Sequence, residues 1–220
     1  MFIGHYSAAL VLKRVEKNAS LGWLFLAVQF VDILFFPLVL LGIERLNIVE
    51  NFTQSTHFEL EFMPYTHGLV GSLILAVVTY VVFWILPTKE EVNKKRVALV
   101  MAAAVFSHWV MDLIVHTPDL PLLGDNSPKL GFGLWNNALI TFILEAVLLV
   151  AGVWLYLRGT KARTVTGKYS MMIFVAVLIV VNFFNIFGPP PDNLNFLAIF
   201  ALVSYFAFGG IAFWLDRKRS

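Results

Sequence analysis

Residues Lys94–Pro118 read KKRVALVMAAAVFSHWVMDLIVHTP, and after Arg96 the stretch is long and apolar enough to form a membrane-spanning helix. Three ionisable residues interrupt it, His108, Asp112 and His116, at successive i, i+4 spacings. That spacing places all three on one face of a helix. Because an aspartate inside a span costs roughly 2.5–3.5 kcal/mol on insertion scales, the stripe is expected to have a function.

The composition points to a membrane protein. Of the 220 residues, 59% are hydrophobic and 14% are charged, against about 25% charged in a soluble domain. The chain has no cysteine, which excludes disulfides and thiolate metal sites. Its first charged residues, Lys13 and Arg14, follow an apolar run, which is the reverse of a cleavable signal peptide. We therefore expect one integral-membrane domain over residues 1–220.

Apolar segments of the right length recur along the chain and predict an all-α, polytopic membrane helix bundle. They are about six transmembrane helices at 20–43, 65–87, 95–117, 134–157, 169–187 and 195–215. Residues 3–17 span about half a membrane and precede the first of them. They are expected to form a short amphipathic helix at the interface or a re-entrant half-helix inside the bundle.

Positive charge alternates from loop to loop, and this alternation predicts the orientation. Lysines and arginines concentrate before the first span, between spans two and three, between spans four and five, and at the end of the chain. These are Lys13, Arg14 and Lys17; Lys89, Lys94, Lys95 and Arg96; Arg158, Lys161, Arg163 and Lys168; and Arg217, Lys218 and Arg219. Both termini are thus expected to be cytoplasmic. Because topology accounts for these basic residues, no nucleic-acid partner is expected.

Several ionisable groups fall at similar depth when residues are counted from the cytoplasmic end of each span. At 1.5 Å per residue, most lie about 12–18 Å in, and Asp112 lies about 23 Å in. The group comprises His5, Asp32, His108, Asp112 and Glu145. Taken singly, Asp32 and Glu145 are explained as protonated carboxyls, and His108 with Asp112 as a hydrogen bond within one helix. The common depth of all these groups favours a shared cation. His67 and His116 lie nearer the outer surface, so access is expected from the extracytoplasmic side.

Imidazole and carboxylate together are typical ligands of a divalent metal, and the predicted metal is Zn, with Mn, Fe or Mg as alternatives. The predicted ligands are His5, Asp32, His67, His108 and Asp112. Glu145 is assigned a catalytic role. The sequence does not distinguish whether it binds the metal, supports a metal ligand or acts as a general base. His116 is also assigned a catalytic role and is expected near the mouth, in contact with a ligand or the substrate.

These motifs resemble those of the LexA-regulated membrane hydrolase family, metal-dependent hydrolases of the bacterial inner membrane. The resemblance rests on Gly4-His5, Asp32, the stretch Pro64–Leu69 and Ser107-His108-x3-Asp112, and so covers residues 4–112. Residues 116–121 and 133–136, with Glu145, resemble a subgroup of such proteins. The resemblance implies a bacterial inner (plasma) membrane location and assigns the matching histidines and aspartates as metal ligands.

The chain departs from that family's pattern in two places. Asp32 stands alone, where a Pro-Asp-x-Asp pattern is common, and Phe62-Met63-Pro64 lacks an additional histidine. Fewer ligands favour a mononuclear site over a dinuclear one.

Three functions compete. The leading hypothesis is a metal-dependent hydrolase that uses a metal-bound water on a lipid or lipid-linked ester or phosphoester, from the extracytoplasmic side. The alternative is a proton- or ion-coupled small-molecule transporter with a midplane relay of Asp, Glu and His. A third possibility is an assembly partner without chemistry, whose acidic loop 44–64 binds another protein.

Overall fold

The computed structural model describes residues 1–87 and 92–220 of the chain. Lys89, one of the residues behind the predicted orientation, lies outside the described residues. The described chain is mostly helical (66%), as the sequence predicts. Its helices are α1 (Ile3–Val15), α2 (Leu21–Val28), α3 (Phe30–Leu40), α4 (Leu69–Ile85), α5 (Lys94–Val115), α6 (Ala138–Gly159), α7 (Val165–Phe187) and α8 (Leu194–Asp216).

Four helices, α5 to α8, are long and apolar enough to cross a membrane, with 22 or 23 residues each. Helices α2 and α3 pass the same test only as a pair, and they are bent by 49°. Helix α4, at 17 residues, is shorter than a typical span. Within residues 1–87 and 92–220, the helices are therefore consistent with a multi-pass membrane protein that has four candidate spans by length and composition, or five if the bent pair counts as one.

The bend between α2 and α3 lies at Gln29, inside the predicted span 20–43. No glycine or proline occurs at that point, so the cause is tertiary rather than local. The Gln29 side chain is fully buried and its Nε2 donates to the carbonyl oxygen of Phe2 at 3.3 Å. The break starts a new helix with Asp32 in its first turn, where the helix dipole favours a negative charge.

Helix α1 lies inside the bundle and packs chiefly against α6, with further contacts to α2 and α5. Ile3, Tyr6 and Leu10 are completely buried. The approach to α6 is close at Gly152, where an added Cβ would lie 2.9 Å from the Cα of Ser7. This burial fits the re-entrant half-helix rather than a helix lying on an interface.

Two short antiparallel hairpins occupy the loops, and the all-α prediction does not include them. Strands β1 (Arg45–Ile48) and β2 (Phe58–Phe62) pair in the first loop, and β3 (Leu120–Pro121) and β4 (Lys129–Leu130) pair in the second. The sequence Phe-Glu-Leu-Glu-Phe of β2 alternates apolar and polar residues, a pattern typical of a half-buried strand. We call the end of the bundle that carries the β1–β2 hairpin the hairpin end.

Apolar packing connects the hairpins to the helices. A cluster of buried side chains includes Phe35 of α3, Leu46 of β1, Leu120 of β3 and Tyr205 of α8. A larger cluster joins the helices themselves. The hairpins are thus fixed against α3 and α8, next to the residues of the candidate site.

Candidate metal centre

The five predicted ligands converge in space, although they come from four separate segments. His5 lies on α1, Asp32 on α3, His67 in the turn before α4, and His108 and Asp112 on α5. They form two overlapping groups that share His108, and within each group the possible ligand atoms lie within 4.8 Å of one another. The two groups are His5, His108 and Asp112, and Asp32, His67 and His108.

The separations within the cluster match those between ligands around one ion. Asp112 lies 3.2 Å from His5 Nε2 through Oδ1 and 3.0 Å from His108 Nε2 through Oδ2. Asp32 Oδ1 lies 3.3 Å from His67 Nε2 and 3.7 Å from His108 Nε2. Ligands at 2.0–2.1 Å around a tetrahedral zinc are about 3.3 Å apart. The cluster therefore has the dimensions of a metal site.

The ring of His108 is held by the end of a neighbouring helix. Its Nδ1 lies 2.7 Å from the carbonyl oxygen of Val28, the last residue of α2. The last carbonyls of a helix have no partner within the helix, so the break at Gln29 leaves this oxygen available. A carbonyl only accepts, so Nδ1 carries the proton and donates it. The other ring nitrogen, Nε2, then faces Asp112.

The ring of His67 is held by a relay through Thr66 to a buried carboxylate. Thr66 Oγ1 donates its proton to Glu44 Oε2 at 2.7 Å and lies 2.9 Å from His67 Nδ1. Because that hydroxyl proton is already used, the oxygen accepts from His67 Nδ1–H. Glu44 Oε1 also accepts the backbone N–H groups of Tyr65 and Thr66, which fixes the turn. His67 Nε2 is thereby directed at Asp32.

His116 lies one turn beyond Asp112 and follows the same pattern. Its Nδ1 lies 2.8 Å from Asp119 Oδ1, and its Nε2 lies 3.6 Å from Asp112 Oδ2. Burial alone would lower the pKa of His116, but the carboxylates of Asp112 and Asp119 reverse that effect and raise it to about 8. The ring also lies 4.1 Å, centroid to centroid, from Trp135. His116 thus borders the cluster without belonging to either ligand group, and its predicted catalytic role stays a prediction.

The arrangement suits positive charge at its centre, either a bound metal ion or protons on the imidazole rings. In His67, His108 and His116, Nδ1 lies against a fixed acceptor, so Nε2 faces a carboxylate, either with a lone pair that the carboxylate repels or with an N–H that donates to it. The Nε2 atoms of His5 and His108 are buried and have no hydrogen-bond partner among the described residues. Metal-binding histidines typically donate the other ring N–H to a carboxylate, carbonyl or similar acceptor. His67 and His108 follow this pattern, whereas both ring nitrogens of His5 are buried without a hydrogen-bond partner among the described residues. The donor set fits a divalent metal, and two of its three histidines have the usual support.

Glu145 is buried near the cluster, but its carboxylate serves the backbone of the α1 segment. Its Oε2 accepts the N–H groups of Phe2 at 2.9 Å and Gly4 at 3.1 Å. These groups belong to the positive end of the α1 dipole, which favours a carboxylate. The amino nitrogen of Met1 lies 2.5 Å from Asp112 Oδ1. Glu145 thus positions the helix that carries His5, and its catalytic role stays a prediction.

Several residues that support the site were not singled out from the sequence. Tyr205 of α8 donates to Asp32 Oδ2 at 2.9 Å. From the sequence, Glu44 belongs to the acidic loop 44–64 and Asp119 to the stretch 116–121, and neither is assigned a role. Glu44 acts through Thr66, which directly precedes the predicted ligand His67, and Asp119 lies three residues after His116. Their proximity in sequence was the available signal, whereas Tyr205 lies 173 residues from its partner.

Comparisons of the chain with protein-family models, with curated proteins and with solved structures found no match.

Proposed function

We propose that this protein is a membrane-embedded, metal-dependent hydrolase that acts on a lipid or lipid-linked ester or phosphoester. The observation that carries the proposal is the set of histidines with Nδ1 bound to fixed acceptors and Nε2 turned toward Asp32 and Asp112. Doubly protonated imidazole rings would make the same contacts without a metal, so the metal content of the purified protein separates the two cases. The proposal agrees with the resemblance to the LexA-regulated membrane hydrolases.

The proposed topology has six spans in the bacterial inner membrane. The bent α2–α3 pair forms the first span and α4 the second, although its 17 residues rise only about 25 Å. Helices α5 to α8 form the others, and both termini are cytoplasmic. The hairpin end, where the loops contain few lysines and arginines, then faces the extracytoplasmic side, and the site is reached from there.

His5, His108 and Asp112, together with Asp32 and His67, would hold the ion, and the mixture of imidazole and carboxylate suits zinc best. A bound ion of this kind supplies a water of lowered pKa and polarises the scissile group. The protein fixes the imidazole orientations through Val28, Glu44 and Asp119. Tyr205 holds Asp32 in place from the opposite side. His116, buried beside the cluster, is placed to exchange a proton with the substrate.

The first test is metal analysis of the purified protein by mass spectrometry. Wild type should contain a stoichiometric divalent metal, and the double variant His108→Ala, Asp112→Ala should lose it. A matched control is His57→Ala, Asp125→Ala, which removes the same residue types outside the ligand groups and should retain the metal. Metal-free wild type, or a double variant that keeps its metal, would refute the proposal. A screen of lipid esters and phosphoesters then tests for hydrolysis.

A further inference from the structure

A cavity of about 630 Å³ leads away from the metal centre toward α7 and α8 at the hairpin end. Asp32, Asp112 and His116 line one end of it. Phe184 of α7 and Phe200 of α8 line the other end. The volume lies within the range of sites that bind small organic molecules. The cavity therefore provides room for a substrate in direct contact with the candidate ligands.

Helices α7 and α8 separate along this cavity. Helix α7 packs mainly against α6, and α8 packs mainly against α2, so the two barely contact each other. Far from the hairpin end they meet through Phe174 and Phe208, whose ring centroids are 6.0 Å apart. Toward the hairpin end both helices line the cavity, α7 between Val181 and Ile186 and α8 between Phe196 and Tyr205. The cavity thus opens sideways, between two helices that are long and apolar enough to span a membrane.

Aromatic side chains form the edges of this lateral opening. Phe184, Phe196 and Phe200 line the cavity and are nevertheless 66%, 53% and 57% exposed. A path for water or ions would need polar edges, whereas these edges suit a hydrocarbon chain. From Phe196 to Tyr205 the cavity follows α8 for about 13 Å, close to the thickness of one leaflet of a ~30 Å hydrocarbon core. The shape therefore favours an amphiphile that enters from the bilayer.

The charges that line the cavity distinguish between kinds of amphiphile. Four carboxylates line it, those of Asp32, Asp112, Glu145 and Asp192, and no lysine or arginine of residues 1–87 and 92–220 does. The amino group of Met1 is already paired with Asp112. A divalent ion and the Met1 amino group together offset three of the four negative charges, so the lining keeps no excess positive charge. A phosphoester would bring further negative charge to a lining without lysine or arginine, which is unfavourable, whereas an uncharged ester brings none.

We propose, building on the hydrolase function above, that the substrate is a lipid with an uncharged acyl ester whose hydrocarbon chain lies in the α7–α8 cavity. Hydrolysis forms a bond from the water oxygen to the acyl carbon and breaks the bond from that carbon to the alcohol oxygen. The water proton passes to the departing alcohol. The products are a fatty acid, which ionises, and an alcohol. Phosphoesters are disfavoured by the same carboxylates.

The test uses the full-length protein in detergent and a diacylglycerol that carries a diazirine in one acyl chain. Photolabelling followed by peptide mapping should place the adduct on α7 and α8. Ala201→Trp, which fills the cavity wall, should lower labelling at least tenfold. Val203→Trp on the same helix is a matched control, because Val203 is 62% exposed and does not line the cavity. Metal content should be unchanged in both variants, which verifies that the centre is folded.

Competition with unlabelled lipids of identical chains then tests the headgroup. Diacylglycerol should suppress labelling at a concentration at least tenfold lower than phosphatidic acid. Equal labelling of Ala201→Trp and wild type, or stronger competition by phosphatidic acid, would overturn the proposal. Labelling requires no turnover. Correct labelling without hydrolysis would therefore refute the hydrolase function and leave the lipid site intact.

Discussion

Replacing Thr66 by valine tests whether the buried relay to His67 supports metal binding. The two side chains have nearly the same shape, but valine cannot accept the proton of His67 Nδ1. His67 is only 3% exposed, so the unpaired N–H has no access to water. Leaving a buried donor unsatisfied costs about 1–3 kcal/mol. Loss of such a supporting group typically weakens metal affinity about 10- to 100-fold, which corresponds to about 1.4–2.8 kcal/mol.

The assay is a titration of purified protein against a chromogenic chelator of known affinity. Thr66→Ser keeps the hydroxyl and should bind metal nearly as wild type does. Thr79→Val is the matched control, because the Thr79 hydroxyl only donates to the carbonyl oxygen of Leu75 in α4, at 2.8 Å. If Thr66→Val binds metal as tightly as Thr79→Val does, the relay has no part in the site and the reasoning fails.

Three further variants test the supports of the site. Glu145→Leu leaves two backbone N–H groups at the start of α1 without an acceptor. The free energy of unfolding, measured by denaturant titration in detergent, should fall by about 1–3 kcal/mol. No change would show that these hydrogen bonds are dispensable. Gly152→Val should push α1 away from α6 and lower the free energy of unfolding by about 1–3 kcal/mol. Gly210 has open space around it, so Gly210→Val is the control and should cause no such loss. Similar stabilities of the two variants would contradict the close approach of α1 to α6. Tyr205→Phe removes the donor to Asp32 and should weaken metal affinity about tenfold in the chelator assay; unchanged affinity would exclude a supporting role.

The convergence of the ligands could be anticipated from the sequence because depth in a membrane is a one-dimensional coordinate. Counting residues along each span places His5, Asp32 and His108 near one level, and the i, i+4 spacing adds Asp112. Which helices face one another is a separate question that periodicity does not answer. The sequence therefore predicted which residues gather, but not that α1 lies against α6.

The break at Gln29 and the support from Tyr205 could not be predicted for a related reason. A kink without glycine or proline depends on tertiary contacts, here the burial of the Gln29 side chain against Phe2. Tyr205 is one aromatic residue in an apolar helix, and only the packing of α8 against α3 gives its hydroxyl a partner. By contrast, the alternation of apolar and polar residues in Phe58–Phe62 is typical of a strand. The prediction does not include the hairpin because it considers only the charge of this loop.

The position of α1 has a consequence for the order in which the protein is made. This helix supplies His5, yet its main partner is α6, which is synthesised more than a hundred residues later. A nascent chain that extends only through α5 contains all five candidate ligands but lacks the surface that holds one of them. Helix α8 likewise packs against α2 from the far end of the chain. Capture of the proposed metal should therefore be a late event in biogenesis, and a chain truncated after α5 should leave the candidate ligands unassembled.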